Sequence, residues 1–323
     1  MRMRGSVLVV AALTALACGP AQAQDWPNRP VTFITPAAAG NSPDVVTRIL
    51  ADKLTQLWKQ QVIILNKPGA GGLIAAQAAA GVEKDGYTLY ATQSSTFNVL
   101  PVDQEGKMPL DLAKAFIAIG LVGEQPIAVA VNKDVPVKSI PELIAFAGKS
   151  KDGMLFGATN RGGQAHLTGE LFRDKSKANI SFVHAAGAAV SLNDVIAGRL
   201  PLMFESLAGL NPGIESGDVR VIGVASHKRL PNLPNLPAVN ETVPGVVSSG
   251  WIVLMAPAGV SDSIIKKVNE DIRKVTAMPD VIERFHKLGT YSRDLTPQQT
   301  QEFIRGEEKL WHPIVKDLKS RRT

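Results

Sequence analysis

Asn66-Lys67-Pro68-Gly69-Ala70-Gly71-Gly72 and, soon after it, Asp85-Gly86-Tyr87-Thr88-Leu89-Tyr90 decide the reading of the fold. A Gly-rich turn follows the apolar run Val62-Ile63-Ile64-Leu65 and opens into an Ala-rich helix expected over 73–81. A second apolar run begins at Thr88, so the unit reads as strand, turn, helix, strand. Such a turn aims backbone N–H groups and a helix N-terminus at one point, where an anion is stabilised. Taken alone, the short Gly cluster also fits an ordinary βαβ turn with no ligand, and the rest of the chain has to decide.

Outward from this unit, short apolar runs alternate with amphipathic stretches, the pattern of an α/β chain with mainly parallel strands. Residues 31–36 read as the first strand. Asn41 or Ser42 caps a helix in which Pro43 takes the tolerated first position, with Val45, Val46, Ile49, Leu50, Leu54 and Leu57 on its apolar face. The strand over 88–92 runs into Ser94-Ser95-Thr96, a helix cap. Residues 116–122 and 127–131 read as two strands separated by Gly123-Glu124-Gln125-Pro126. Ser139 caps the next helix. Strands at 154–158, 180–183, 200–204, 219–225 and 251–255 then alternate with helices at 164–172, 190–196 and near Leu210. Pro231, Pro234 and Pro237 read as a stiff extended connection. Three helices close the chain, the last opening at Thr296-Pro297-Gln298-Gln299.

At the N-terminus, Arg2 and Arg4 precede an apolar stretch from Val7 to Cys18 that is short for a membrane span. Ala21-Gln22-Ala23 is a small-residue cleavage site. Residues 1–23 therefore read as a signal peptide, and the mature chain is expected to begin at Gln24. Lipid attachment at Cys18 is the alternative, although Leu16 sits one place late for a lipobox. Cleavage would remove the only cysteine, which excludes disulfides, thiolate metal sites and Cys nucleophiles. It would also remove two arginines and no acid, taking the formal charge from +6 to +4. That excess suits an exported protein that handles anions. It is scattered apart from Lys319, Arg321 and Arg322, so no nucleic-acid partner is expected. No second long apolar segment follows, and a chain of this size commonly divides into two lobes.

Enzyme signatures are missing from the sequence. There is no G-x-S-x-G elbow, P-loop or H-E-x-x-H, and the Gly69 to Gly72 cluster lacks dinucleotide spacing. His166, His184, His227, His286 and His312 are scattered without ligand spacing. No catalytic residue, cofactor or metal is expected.

Motifs in order along nearly the whole mature chain resemble the extracytoplasmic solute receptors of tripartite tricarboxylate transporters, the Bug or TctC family. They begin with Trp26-Pro27-Asn28-Arg29-Pro30 and the loop Pro36-Ala37-Ala38-Ala39-Gly40-Asn41-Ser42-Pro43-Asp44, with Arg48 one turn on. Asn66 to Gly72, Asp85 to Leu89, Gly162, His166-Leu167 and Glu170-Leu171-Phe172 follow. Gly187, Asp194, Gly198, Ser226, Arg229, Leu233-Pro234, Pro237, Glu241 and Ala256-Pro257-Ala258-Gly259 complete the match. The resemblance implies a two-lobed periplasmic binding protein of type II-like α/β fold, with the ligand cleft between the lobes and two crossing strands. Lobe 1 would comprise 24–124 plus 250–323, and lobe 2 would comprise 125–249. It implies a monomeric periplasmic receptor that delivers a small organic carboxylate to membrane transporter subunits. An uncharged solute, or a secreted α/β hydrolase, is the alternative reading.

The same resemblance nominates the ligand contacts. In the first lobe these are Ala38, Ala39, Gly40, Asn41, Ser42, Asp44, Gly71 and Ser94. In the second they are Thr159, Asn160, Arg161, Gly162, Gly163, Ala186, Gly187 and Glu205. Asp44 lies one turn into its helix, where stabilising the dipole and capping amides competes with ligand contact. Arg161 is either a solvated loop residue or a bidentate partner for a carboxylate. His166, inside a helix, reads as a core or capping histidine. Glu205 faces either the cleft or the surface. Departures from the family pattern are Asn41 and Asn160 in place of glycine, and Ala185-Ala186 in place of a bulky Tyr and a Lys. The loss of bulk is expected to enlarge the pocket. With Arg161 as a distal partner, a dicarboxylate longer than four carbons, aromatic acids included, is the expected cargo.

Overall fold

A computed structural model describes residues 26–158, 162–183, 185 and 187–320. The signal-peptide reading and Cys18 fall outside them, as do Thr159, Asn160, Arg161 and Ala186. Among the described residues nine strands form one sheet in the order β2-β1-β3-β9-β4-β7-β5-β6, with β8 joined to β4. In chain order they are β1 (Val31–Thr35), β2 (Val62–Asn66), β3 (Thr88–Gln93), β4 (Phe116–Asn132), β5 (Met154–Gly157), β6 (Ile180–Val183), β7 (Leu202–Ser206), β8 (Val219–Val224) and β9 (Ser249–Pro257). The helices that matter for the site are α1 (Ser42–Trp58), α2 (Leu73–Ala80), α3 (Ser94–Asn98), α4 (Gln164–Ser176), α5 (Ala188–Ile196) and α6 (Leu207–Glu215). The chain closes on α7 (Asp262–Thr276), α8 (Pro279–Lys287) and α9 (Pro297–Ser320).

The architecture is a two-lobed α/β fold on a curled mixed sheet. Two layers of helices cover each half. Along β1, Val31 and Phe33 enter a core with Val46, Leu50 and Leu54 of α1. Ile34 enters the opposite core with Ala75, Ala76 and Ala79 of α2. In the second half, Val129 and Val131 of β4 join Phe156, Leu171, Phe172 and Phe204. Ala128 and Ala130 face Leu192, Val195 and Leu210. Strands buried on both faces lose the polar alternation of a half-exposed sheet, which is why these segments read as short apolar runs.

Three expectations change. The sheet is mixed rather than mainly parallel: β1 pairs in parallel with β2 and β3, and β5 with β6 and β7. β4 and β9 instead run antiparallel to their neighbours. The two strands expected around Gly123-Glu124-Gln125-Pro126 are a single strand, β4. Its partner β9 pairs along it as far as Pro126, opposite Ser249, and two register shifts absorb the irregularity. Bulges of this kind bend a strand without ending it. The proline segment is not extended. Leu233 N–H donates to Leu230 C=O and Leu236 N–H to Leu233 C=O, which places Pro231 and Pro234 second in two successive turns, where a fixed φ is favourable.

β4 and β9 carry the chain between the halves. The last helix serves both: Ile304 packs with β1 and β3, whereas Trp311, Val315 and Leu318 pack in the core of the second half. Among the described residues, no helix is long and apolar enough to cross a membrane.

Candidate ligand-binding site

Between the two halves lies a cleft of about 820 Å³. Its first-lobe wall is built at the start of α1, where Asn41 Oδ1 accepts from Asp44 N–H at 3.0 Å. Asp44 points away from the cleft and is buried. Its carboxylate accepts from Gly40 N–H (2.8 Å), Arg48 Nε (2.9 Å) and Asn66 Nδ2 (2.7 Å). Burial pushes this carboxyl up, but the bonds from Arg48, Asn66 and Gly40 outweigh it and hold the group below the usual aspartate value. Asn66 also donates to Ala37 C=O at 2.9 Å. The asparagine at the head of the Gly-rich stretch therefore ties the end of β2 to the loop before α1.

The Gly-rich turn is unusual backbone. Gly69, Ala70, Gly71 and Gly72 all have positive φ, with Gly72 at 101°. A side chain on Gly72 would collide with Thr96 Oγ1, so the turn seats against the helix that follows β3. Ala70 and Gly71 line the cleft, joined by Ser94 and Ser95 at the start of α3. The expected Ser94 cap is corrected here. Gln93 occupies the cap position, Ser94 is the first helical residue, and no side chain caps the helix. The strand runs directly into the helix, so the cap position falls on the last strand residue, Gln93, and Ser94 lines the cleft.

The crossing strands form the floor with Gln125, Ile127, Gly250, Trp251 and Ile252. Gln125 Nε2 donates to Ser42 Oγ at 2.5 Å and to Thr290 Oγ1 at 3.0 Å.

The second-lobe wall is again built of helix starts. Gly162, Gly163, Gln164 and Ala165 come from the start of α4, Ala188 from α5, and Ser206, Ala208 and Gly209 from α6. His166 is a capping histidine, as expected: it is buried and its Nδ1 accepts from Gly162 N–H at 2.9 Å. Gln164 Nε2 donates to Ser248 Oγ at 2.9 Å, which anchors the α4 start to the strand entering the hinge. Glu205 lines the cleft, and its Oε1 accepts from Ser206 N–H at 2.8 Å.

Of the nominated residues, the structure brings Asn41, Ser42, Gly71, Ser94, Gly162, Gly163 and Glu205 to the cleft. Asp44 stands behind the wall as a brace. Ala38, Ala39 and Gly40 are exposed on the loop leading to it, and Gly187 precedes the lining residue Ala188. Sequence reasoning passed over Gln93, Ser95, Gln125, Gln164 and Trp251. Gln164 was discernible as the first residue of a helix after a Gly pair. Gln125 was hidden in a segment that reads as a linker.

The electrostatics follow from this construction. The starts of α1, α4, α5 and α6 converge on the cleft, and helix N-termini carry partial positive charge. Asn41 Oδ1 and Ser42 Oγ already accept hydrogen bonds within the protein. The Asn41 side-chain Nδ2 and the Ser42 O–H are left to donate into the cavity. Among the described residues no Lys or Arg lines it, and Asp103 joins Glu205 as an acid at the wall.

The model of the tripartite tricarboxylate transporter family receptor, TctC, matches residues 46–319. This chain belongs to that family. The chain is 30% identical to the protein BugT of Bordetella pertussis over 97% of its length and 96% of BugT. Among solved structures it resembles R. palustris Rpa4515 with adipate, at 28% identity and TM-score 0.75, covering 90% of this chain and 98% of that one. It also resembles MatC of Rhodopseudomonas palustris with bound malate, at 25% identity and TM-score 0.72, covering 90% of this chain and 100% of MatC. The chain is thus a solute-binding receptor of the periplasmic binding protein class.

Proposed function

We propose that the protein captures a small organic carboxylate in the periplasm and delivers it to the membrane subunits of its transporter, acting as a monomer. The observation that carries this reading is the convergence of helix starts and neutral donors on one cleft. A buried carboxylate needs donors, and the fixed dipoles at the first-lobe wall supply them. One carboxylate would sit against Asn41, Ser42, the Gly71 turn and Ser94-Ser95. The cleft volume exceeds the need of a four-carbon acid, which supports a longer cargo: a dicarboxylate, aromatic acids of phthalate type included, with Arg161 as its distal partner. Adipate in one relative and malate in another fit the carboxylate class. The division into 24–124 plus 250–323 and 125–249 is proposed with it, α9 bridging both lobes.

An uncharged solute is the second reading, favoured by the two acids Asp103 and Glu205 at the wall. Thermal-shift screening across mono-, di- and aromatic carboxylates and uncharged amides separates the two, because a ligand stabilises the folded state by mass action. Stabilisation by diacids of six or more carbons supports the proposal. Response to malate and succinate alone would sink the longer cargo, and response to amides alone would sink the carboxylate. Export is checked by the intact mass of periplasmic protein, expected to correspond to a chain starting at Gln24. A lipid-modified Cys18 would overturn that start.

A further inference from the structure

The cleft uses one face of the crossing strands. On β4, Gln125 and Ile127 point into it, whereas Glu124 and Pro126 point to the opposite face. There a second cavity of about 400 Å³ opens, within the size range of small-molecule sites, about 300–1,000 Å³. One wall is the 226–231 segment after β8. The other is the end of α8 with residues 290–293. We propose that this cavity is a second binding site, for a small anion with an apolar body.

The chemistry of the walls sets the class of ligand. Leu230, Pro231, Ile282 and Phe285 supply an apolar surface. Among the described residues of the lining the one acid, Glu124, is paired with Arg293 Nε at 2.5 Å. Arg229 is likewise committed, donating to both Glu241 oxygens at 2.9 and 2.8 Å. Among the described residues Lys228 has no acid partner and His227 has no hydrogen-bond partner, and both are exposed at the mouth. With its acid neutralised and a cation left over, the cavity favours one negative group at the mouth and an apolar portion against Phe285 and Ile282.

The site also sits where the two halves are tied together. Tyr291 N–H and C=O pair with Glu124 C=O and N–H at 2.8 Å each, and its hydroxyl reaches Asn232 Oδ1 at 2.7 Å. Thr290, which lines this cavity, holds the Gln125 side chain that positions Ser42 in the cleft. An occupant therefore touches the same hinge that the cleft uses. Its existence does not rest on the identity of the cargo.

The test uses the mature full-length protein and 4-fluorobenzoate as the probe, followed by fluorine NMR titration. The wild type is expected to show saturable binding. The pair His227→Ala with Lys228→Ala, and separately Ile282→Trp, which fills the cavity, should each weaken it by about tenfold, the value of one charge-assisted contact. With adipate in excess to occupy the cleft, probe binding should be unchanged. Circular-dichroism melting confirms that every variant is folded. Displacement of the probe by adipate, with no loss in the His227/Lys228 and Ile282 variants, would assign the probe to the cleft and overturn the second site. So would a failure to saturate in the millimolar range.

Discussion

Asp44 and Glu307 are enclosed carboxylates whose proton affinities move in opposite directions. Donors hold Asp44 low, despite burial, whereas burial pushes Glu307 up, although it accepts from Trp251 Nε1, Trp311 Nε1 and Asn98 Nδ2 through one oxygen. The Asp44 contribution to stability is complete above the usual aspartate value of 3.8 and is lost as pH falls through its depressed folded value. Glu307 behaves in reverse: its charge burdens the folded state at neutral pH, and the burden lifts as pH falls through its raised value. Asp44→Asn should cost about 2 kcal/mol at pH 7, with the Arg48 arm, half exposed, adding little. Glu307→Gln should be within about 1 kcal/mol of wild type at pH 7, since the amide oxygen still accepts from the indoles, and should flatten the profile in mildly acidic solution. Urea unfolding from pH 4 to pH 8 checks both. Equal pH profiles for Glu307→Gln and wild type would contradict the assignment. Caps were legible at this scale where the side chain does the capping. Ser139 accepts from Glu142 N–H, and Thr296 and Gln299 exchange bonds as a capping box. Ser94 was misread because β3 meets α3 without a capping bond, an arrangement that no residue type signals.

At the scale of the element, the Gly-rich turn was legible because its backbone demands glycine. Gly72→Ala forces a Cβ into Thr96 at φ 101° and should cost about 1–3 kcal/mol. It should also weaken any cleft ligand by displacing Ala70 and Gly71. Gly306→Ala is the contrasting case: it lies in α9 with nothing within 4 Å of an added Cβ, and should gain about 1 kcal/mol from helix propensity. Thermal melts that moved both variants the same way would show that the turn is not the constraint described. β4 was misread as two strands for a physical reason. Gly123 and Pro126 are local breaking signals, but their partners on β9 and at Tyr291 lie more than a hundred residues away. Long-range pairing overrides local propensity there. The same holds for Gln125, whose role depends on Ser42 and Thr290, residues remote from it in sequence.

For the whole molecule, alternating apolar runs gave the α/β class, and the ordered motifs gave the two-lobed family. The mixed pairing was not legible, because strand direction depends on which strands cross between lobes. The crossing segments near 123–127 and 245–251 are expected to act as hinges, as in other cleft-binding proteins. Small-angle scattering should show a smaller radius of gyration with saturating ligand, and an unchanged profile would count against closure. Gln125→Leu, which cuts the tie between Ser42 and Thr290, should weaken cleft binding while leaving the fold intact by circular dichroism. The most direct test of the receptor account is calorimetric titration of the mature protein with adipate and with hexanoate, its matched monoacid, in wild type and Arg161→Ala. The account predicts saturable one-to-one binding of adipate and a far larger loss for adipate than for hexanoate in the variant. No saturable binding of adipate, or equal losses for adipate and hexanoate in the variant, would contradict it.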